Sequence, residues 1–266
     1  MARISVVIPA RDDAAMLAEC LLRLARQTRP ADEIVVVDNA STDDTASVAR
    51  AGGARVVTEP LVGIPAAAAA GYDAARGELI ARLDADSRPQ PDWLERIEHA
   101  FSDDPSLDVV TGPGEFYGAG RLTRTLGRRL YIGGYFWAMG WWLGAPPVFG
   151  SNAAFRAQVW VQTRDRVHRR VREVHDDLDL SLHLDATVAV RLDRSLIVGV
   201  SARPFAGPAA LGRRLSRAWN TLTLNLPECS PFRLRKARRL AASPRQAPGP
   251  TPDRGAARTR WWDRSD

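Results

Sequence analysis

Two aspartates, Asp84 and Asp86, come directly after residues Glu78 to Leu83, whose sequence ELIARL predicts a buried strand. In chains that alternate strands and helices, ligands bind beyond the carboxyl ends of the strands. Paired carboxylates at that place can hold Mg²⁺ or Mn²⁺ against a diphosphate. The same Asp-x-Asp spacing also occurs on solvated loops, so the surrounding elements decide between a metal site and a surface turn.

A second acidic group, Asp176, Asp177 and Asp179, lies in the sequence VHDDLDLSLHL. A carboxylate held beside an acceptor hydroxyl can take its proton as a general base. The same residues also suit the first turn of a helix, because the helix N-terminus favours negative charge. The spacing alone leaves both interpretations open.

The elements that would position these carboxylates alternate between strand and helix. Strand patterns occur at Ile4–Ile8, Glu33–Val37, Arg55–Thr58, Glu78–Leu83 and Leu107–Thr111. Helical patterns follow at 14–26, after Ser41 as a predicted N-cap, after Pro65, and at 91–101. This order requires right-handed crossovers and predicts a mainly parallel sheet with helices on both faces.

Residues 130–155 carry no charged side chain and include Trp137, Trp141 and Trp142. The stretch before Pro146 is about 16 residues long, which is short of the roughly 20 that a membrane-spanning helix needs. The composition favours an interfacial or acceptor-facing helix, with ordinary core packing as the alternative.

Basic charge is concentrated in the C-terminal part of the chain. Residues 203–266 hold 14 Lys and Arg against 4 Asp and Glu, a net charge of +10, whereas the whole chain has +6. We predict a compact domain over 1–205, a basic amphipathic helical extension over 206–242, and a disordered tail over 243–266. Such a charge suits an anionic membrane, nucleic acid or a solvated appendage.

The cysteines and the N-terminal sequence indicate the cellular compartment in which the protein is expected. Cys20 and Cys229 are the only cysteines and lie far apart, which leaves neither a disulfide framework nor a CxxC metal site. No leader precedes the first strand pattern at Ile4. We therefore expect a cytoplasmic protein, with peripheral attachment to the inner face of the cytoplasmic membrane as a further option.

The motifs together resemble the inverting glycosyltransferases of family 2. The segments that carry the resemblance are SVVIPARDD, VVVDNASTDDT, LDADS, GSNAAFR and VHDDLDLSLHL, in that order over residues 3–200. The resemblance implies the GT-A fold, an α/β architecture with three layers, α/β/α, around a mixed, mainly parallel sheet. It also implies transfer of one sugar from a nucleotide-diphosphate sugar to an acceptor hydroxyl or phosphate, with a lipid-linked acceptor as an option for this chain.

The resemblance also implies a role for each matching residue. Asp177 is the implied general base, and Asp86 is the implied direct ligand of Mg²⁺ or Mn²⁺, with Asp84 beside it near the ribose or donor sugar. The implied nucleotide and donor contacts are Pro9, Ala10, Asp12, Asp38, Asp84 and Ala85. The implied contacts to the acceptor and donor sugar are Gly150, Ser151, Asn152 and Asp176.

The sequence departs from the family pattern at two places, and one of them is the Gln-x-x-Arg-Trp signature of processive members, which is absent. An Arg-Asn pair is common in the helix before the Asp-x-Asp strand, and Ala68 and Ala69 stand there. A non-catalytic nucleotide-sugar-binding module is therefore an alternative. A sugar nucleotidyltransferase is a weaker one, since the loop PARDD lacks the glycines that cradle a triphosphate.

We expect a UDP-sugar donor, with GDP- or dTDP-sugars as options, an anionic membrane or lipid-linked acceptor as a possible partner, and no nucleic acid.

Overall fold

The computed structural model describes residues 1–118, 120, 127–203 and 208–242. The strands in these residues are β1 Ile4–Ala10, β2 Glu33–Asp38, β3 Arg55–Thr58, β4 Leu79–Arg82, β5 Arg88–Pro89, β6 Val109–Thr111, β7 Gly114–Tyr117, β8 Ala153–Arg156, β9 Val190–Leu192 and β10 Val198–Ser201. The helices are α1 Ala14–Leu24, α2 Thr45–Ala51, α3 Ile64–Ala74, α4 Trp93–Asp103, α5 Gly133–Leu143, α6 Ala157–Thr163, α7 Asp176–His183, α8 Pro208–Asn225 and α9 Pro231–Ala242.

The main sheet has seven strands in the order β3-β2-β1-β4-β8-β6-β9. Strand β8 runs antiparallel to its neighbours β4 and β6, whereas the other pairs are parallel. A smaller sheet has the order β5-β10-β7. The prediction of an α/β fold with a mixed, mainly parallel sheet is confirmed.

The apolar residues of β1 alternate between the two faces of the main sheet. Ile4, Val6 and Ile8 pack with α1 and α4, whereas Val7 packs with α3, α6 and α7 on the other face. All four are fully buried. The result is the expected three-layer arrangement, in which the sheet edge formed by the strand ends is held between two rows of helices.

Helix α2 begins later than the sequence predicts. It starts at Thr45 with Asp44 in the N-cap position, so the prediction that Ser41 caps it is wrong. The Asp38 carboxylate accepts a hydrogen bond from the Ser41 backbone N–H at 3.2 Å, which keeps this segment in a turn. The Ser41 hydroxyl instead accepts from the backbone N–H of Asp12 at 3.2 Å.

Helix α5 has one side packed in the domain and another side exposed. Met139, Trp142 and Leu143 pack in a cluster with α7 and the C-terminal helices. Trp137 and Trp141 are 77% and 53% exposed. Within the described residues, no helix has both the length and the apolar character to cross a bilayer.

The two C-terminal helices, α8 and α9, pack against the rest of the domain, and α8 also forms buried hydrogen bonds to the segment that contains α7. The Asn225 amide of α8 donates to Asp179 of α7 at 2.9 Å, and Asn225 is 3% exposed. The backbone N–H of His175 donates to the Thr221 hydroxyl at 2.9 Å. Helix α8 is therefore packed against α7. The predicted disordered tail, 243–266, lies outside the described residues.

Gly71 sets the distance between α3 and the sheet. A Cβ at this position would lie 2.4 Å from Val7 Cγ1 and 2.9 Å from Val37 Cγ2. Both neighbours are fully buried strand residues, so the helix has no room to keep its place with a larger residue.

We predict that Gly71→Ala lowers the free energy of unfolding by about 1–3 kcal/mol, because an added methyl group overpacks the interface. Urea denaturation measures this change. Gly134→Ala is the matched control, since a Cβ added there in α5 would meet nothing within 4 Å, and alanine has the better helix propensity. Equal stabilities of the two variants would contradict this account of α3 packing.

Candidate active site

The carboxyl ends of β1, β2 and β4 meet at one edge of the main sheet. Ala10 at the end of β1 pairs with Asp38 of β2, and Val7 of β1 pairs with Arg82 of β4. Because these strands are parallel neighbours, the loops that follow them share this edge. Four of the predicted site aspartates, Asp12, Asp38, Asp84 and Asp86, belong to these strand ends and loops.

Asp12 and Asp38 lie on the β1–β2 side of this edge. Asp12 has a left-handed backbone, φ 48°, and its carboxylate accepts hydrogen bonds from the backbone N–H and hydroxyl of Thr42 at 2.7 and 3.0 Å. These two hydrogen bonds lower the pKa of Asp12. Asp38 uses Oδ1 for the Ser41 turn, and among the described residues its Oδ2 has no protein donor. That oxygen is free to accept a hydrogen bond from a ligand.

Arg82 lies beneath both groups of aspartates. This last residue of β4 is 1% exposed. Its guanidinium donates to Asp84 Oδ1 at 2.7 Å and to Asp176 Oδ2 at 3.1 Å. It also donates to the Tyr72 hydroxyl at 3.2 Å and the Leu83 carbonyl at 2.6 Å. A single buried cation thus links the Asp-x-Asp segment to the start of α7.

The turn before β8 makes a second link between the same elements. The Ser151 hydroxyl donates to Asp84 Oδ2. The backbone N–H of Gly150 donates to Asp177 Oδ2 at 2.9 Å, and that of Leu178 donates to Asp177 Oδ1 at 2.8 Å. Antiparallel pairing of β8 with β4 brings this turn to the edge, with Ala153 opposite Arg82.

Asp86 has a different cationic partner. Arg203, which follows β10, donates to Asp86 Oδ2 at 2.8 Å and to both carboxylate oxygens of Asp13 at 2.9 Å. The Arg203 side chain is 55% exposed and that of Asp86 is 22% exposed. A cation that binds Asp86 through this oxygen therefore competes with the positive charge of the guanidinium.

The electrostatics of the three carboxylates differ. Burial is the largest single effect on Asp84 and opposes its ionisation, but the charge and hydrogen bond of Arg82 together with the hydrogen bond from Ser151 hold the pKa of Asp84 below its ordinary value. Burial, with the charge of Asp84 second, raises the pKa of Asp86. Burial also raises the pKa of Asp176, Arg82 opposes that effect, and Asp177 adds to it. Ionised Asp86 and Asp176 consequently cost stability at neutral pH, and this cost fades as the pH falls from their raised pKa values towards the ordinary one.

Asn152 and two alanines lie in the core beneath the site. Asn152 is fully buried, accepts a hydrogen bond from Trp93 Nε1 at 2.8 Å, and donates to the carbonyls of Pro113 and Leu196. Its amide therefore anchors the 150–152 turn in the core. The side chains of Ala10 and Ala85 are each 4% exposed and belong to the core on the α1 side. Pro9 is half-buried in β1.

Asp179 of α7 is buried and hydrogen-bonded within the protein. It is 2% exposed and accepts hydrogen bonds from the His168 backbone N–H at 2.6 Å, His168 Nδ1 at 2.9 Å and the Asn225 amide. The potential ligand atoms of His168, Asp179 and His183 all lie within 4.8 Å of one another, which is close enough for a metal site. These donors satisfy the hydrogen-bonding capacity of the Asp179 carboxylate. Asp179 therefore connects α7, the loop at residue 168 and α8 through hydrogen bonds.

The positions of the missing Arg-Asn pair are buried. Ala68 and Ala69 of α3 are 1% and 3% exposed and line a small cavity of about 20 Å³ that also touches Asp176. The cation that pairs with Asp176 comes instead from Arg82 of β4. Sequence reasoning missed Arg82 and Arg203. An arginine inside the apolar run ELIARL was the signal available for the first.

The comparisons with known proteins decide the family. The family model described as glycosyl transferase family 2 matches residues 5–170 of the chain. The chain belongs to glycosyl transferase family 2. The glycosyltransferase AglE of Haloferax volcanii is 33% identical over 121 residues, which cover 42% of this chain and 40% of that protein. An uncharacterised glycosyltransferase of Mycobacterium bovis is 37% identical over 109 residues, which cover 41% and 47%. The matches thus span less than half the length of these relatives.

Solved structures of glycosyltransferases have the same fold. A mannosyltransferase from Pyrobaculum calidifontis, solved with GDP-mannose and Mn²⁺, has a TM-score of 0.67 at 21% identity and covers 90% of this chain and 70% of its own. A glucosyl-3-phosphoglycerate synthase from Mycobacterium tuberculosis, solved with Mn²⁺, UDP and phosphoglyceric acid, has a TM-score of 0.59 at 21% identity and covers 86% and 78%. The expected GT-A architecture is confirmed.

We predict that Arg82→Met lowers the free energy of unfolding by about 3–5 kcal/mol, because it leaves the partly buried Asp176 and the more exposed Asp84 without the buried cation they share. Urea denaturation at neutral pH measures the loss. Arg96→Met is the matched control, since the Arg96 side chain is 44% exposed and pairs with Asp92 on the surface. We expect the control to change stability by no more than about 0.5 kcal/mol. A loss for Arg82→Met as small as that of the control would contradict the assignment.

Proposed function

We propose that the chain transfers one sugar from a nucleotide-diphosphate sugar to an acceptor hydroxyl or phosphate, with inversion at the anomeric carbon and with Mg²⁺ or Mn²⁺. One observation carries the proposal. Contacts run from Asp84 through Ser151 and Gly150 to Asp177, so a carboxylate at the end of β4 and one at the start of α7 share a single turn. A donor held at the first lies beside a base at the second.

The nucleotide would lie across the ends of β1 and β2. An ionised Asp38 accepts hydrogen bonds only, so its free Oδ2 suits the imide N–H of uracil or thymine, or the N1 and N2 donors of guanine. We favour a UDP-sugar, with GDP- and dTDP-sugars as the other candidates. The solved structures with GDP-mannose and with UDP support a donor of this class.

Asp86 and Asp84 would hold the divalent cation. Their carboxylate oxygens are the hard ligands that Mg²⁺ and Mn²⁺ prefer. The raised pKa of Asp86 fits a cation as well, because nearby positive charge would relieve the cost of keeping this partly buried carboxylate ionised. When bound, the cation supplies charge neutralisation for the departing diphosphate.

Asp177 would act as the general base. Each of its oxygens accepts one backbone N–H, from Gly150 or Leu178, and a carboxylate oxygen has a second lone pair for an acceptor hydroxyl. The two N–H donors fix the plane of the carboxylate. Direct attack by the activated hydroxyl, opposite the leaving diphosphate, requires no protein nucleophile and inverts the anomeric carbon.

A lipid-linked acceptor at an anionic membrane is the further part of this proposal. Trp137 and Trp141 are exposed on one side of α5, and the other side of the same helix packs near the start of α7. Exposed tryptophans beside basic residues suit the headgroup level of a bilayer. The inner face of the cytoplasmic membrane would then be the place of action.

A non-catalytic nucleotide-sugar-binding module is the second candidate. The observation that favours it is the replacement of the Arg-Asn pair by Ala68 and Ala69, which removes a potential diphosphate clamp. Such a protein would bind the donor without turnover.

The proposal predicts that one donor in a panel of UDP-, GDP- and dTDP-sugars is turned over with Mn²⁺ or Mg²⁺ and is not turned over with EDTA. Asp177→Asn should lower kcat by roughly 10²- to 10⁴-fold, the usual contribution of a positioned base, while it retains donor binding. Initial rates and donor calorimetry, with membrane extract as a source of acceptor, measure both.

Asp103→Asn is the control for this series, because Asp103 is exposed at the end of α4. We expect it to leave turnover unchanged. Full activity of Asp177→Asn would show that Asp177 is not the base. Donor binding by the wild type without turnover of any donor would favour the binding module instead.

Arg203→Ala should bind Mn²⁺ more tightly than the wild type in the absence of nucleotide, since the guanidinium competes for Asp86 Oδ2. An exposed ion pair contributes about 1 kcal/mol at most, so the gain should reach up to about fivefold. Electron paramagnetic resonance titration measures free Mn²⁺, and Arg194→Ala, at an exposed arginine nearby in sequence, is the control. Weaker Mn²⁺ binding by Arg203→Ala would show that Arg203 assists the site and does not compete with the metal.

A further inference from the structure

A second concave site lies away from the aspartates. This groove, of about 700 Å³, is bounded by the end of α5, the loop before β9 and helix α9. The loop residues 186–189 follow the C-terminal end of α7, whereas Asp177 lies at the N-terminal end of that helix. The lining contains three arginines, Arg235, Arg238 and Arg239, and no carboxylate from the residues that the structure describes.

Gly144 allows α9 to approach the end of α5. It has a left-handed backbone, φ 69°, and ends α5 as its C-cap. A Cβ at Gly144 would lie 3.3 Å from Arg235 Cγ and 3.5 Å from both Arg235 Cα and Arg238 Cδ. Gly144 therefore adopts the left-handed conformation that ends α5, and its missing side chain lets Arg235 and Arg238 of α9 lie close to the end of α5.

Arg235 and Arg238 are held by carbonyl oxygens. Arg235 donates to the Trp141 carbonyl at 2.8 Å, and Arg238 donates to the carbonyls of Leu143 and Val188 at 3.1 and 3.2 Å. The bonds to Trp141 and Leu143 satisfy C-terminal carbonyls of α5. In the part of the chain that the structure describes, neither guanidinium forms an ion pair with a carboxylate, although the charge of Asp185 acts on Arg238.

The two guanidinium groups retain donors for a ligand. A guanidinium has five N–H groups, of which Arg235 uses one and Arg238 uses two in the hydrogen bonds above. Burial lowers the pKa of Arg238, which means that the charged guanidinium is less stable there than in water. A bound anion would offset this loss of stability. Phosphate oxygens match the fork of N–H donors on arginine.

Exposed aromatic and apolar residues flank the groove. Trp141 lies under the Arg235 guanidinium, 5.2 Å from ring centroid to Cζ, and Trp137 is one helical turn earlier on α5. Leu240 of α9 is 66% exposed. Helix α9 carries five basic residues and no acidic residue in the sequence PFRLRKARRLAA. A soluble anion would use the arginines but would have no use for this apolar flank.

We propose that the groove binds the phosphate headgroup of an anionic phospholipid in a bilayer, while Trp137 and Trp141 enter the membrane interface. The proposal deepens the membrane part of the proposed function and rests on it, but it is independent of sugar transfer. The bound lipid would orient the molecule by fixing α5 and α9 against the surface.

The test is partition of the full chain onto sucrose-loaded vesicles of phosphatidylcholine with and without phosphatidylglycerol. The double variant Arg235→Gln/Arg239→Gln removes two charges from the groove and spares Arg238, which holds two carbonyls. Each basic residue near an anionic surface contributes about 1 kcal/mol, so the partition coefficient should fall about 30-fold. Trp137→Ala should also weaken partition, and thermal unfolding should show that both variants are folded.

Arg26→Gln/Arg50→Gln is the matched control, because it removes the same charge at exposed positions next to the opposite layer of helices. We expect a change of less than about threefold, since these charges lie away from the surface in question. Equal decreases of the partition coefficient in the two double variants would show that only the net charge of the protein matters, which would overturn the proposal. Equal binding of the wild type to vesicles without phosphatidylglycerol would overturn it as well.

Two further results distinguish failure of the lipid site from failure of sugar transfer. If the groove variant loses calorimetric binding of inorganic phosphate but keeps vesicle binding, the groove serves a soluble anion and the lipid proposal is wrong. If vesicle binding depends on Arg235 and Arg239 while no donor is turned over, the lipid site stands and the proposed sugar transfer fails.

Discussion

The buried Arg82 guanidinium is the interaction on which the candidate site depends. It stands at the end of β4 with 1% exposure, and its partners come from α3, α7 and the segment that follows β4. A charge taken out of water is tolerated only when its partners satisfy it. Asp84 and Asp176 satisfy it, and in doing so they fix the Asp-x-Asp segment relative to the helix that carries Asp177.

The topology explains why these partners meet. Strand β8 is the antiparallel member of the main sheet, and its pairing with β4 brings the Gly150–Ser151 turn back to the edge where β1, β2 and β4 end. Asn152 anchors that turn in the core through Trp93. The C-terminal helix α8 then closes the outer side of α7 through Asn225 and Asp179. The Asp84 segment, the 150–152 turn and the start of α7 are thus parts of one packed unit.

Local sequence patterns predicted much of this fold. The strand before Asp84 and the helix that begins at Asp176 were predictable, because alternation of apolar runs and helical spacing is a local signal. The contact between Arg82 and Asp176 spans 94 residues and has no local signal. Ser41 was assigned to a helix cap because its hydroxyl suits one, yet the Asp38 turn uses its backbone. Asn152 and Asp179 were assigned near the chemistry from their motifs, whereas their burial depends on tertiary packing.

A double-mutant cycle on Asp84 and Asp176 tests most directly whether Arg82 makes the two segments one unit. The free energies of unfolding of Asp84→Asn, Asp176→Asn and the double variant are measured by urea denaturation at neutral pH. Either single change leaves Arg82 one charged partner, whereas the double change leaves none. The account predicts that the free energy of unfolding of the double variant is about 1–3 kcal/mol lower than the sum of the two single changes gives, whatever the sign of each single change. Additive changes, equal within about 0.5 kcal/mol, would contradict it.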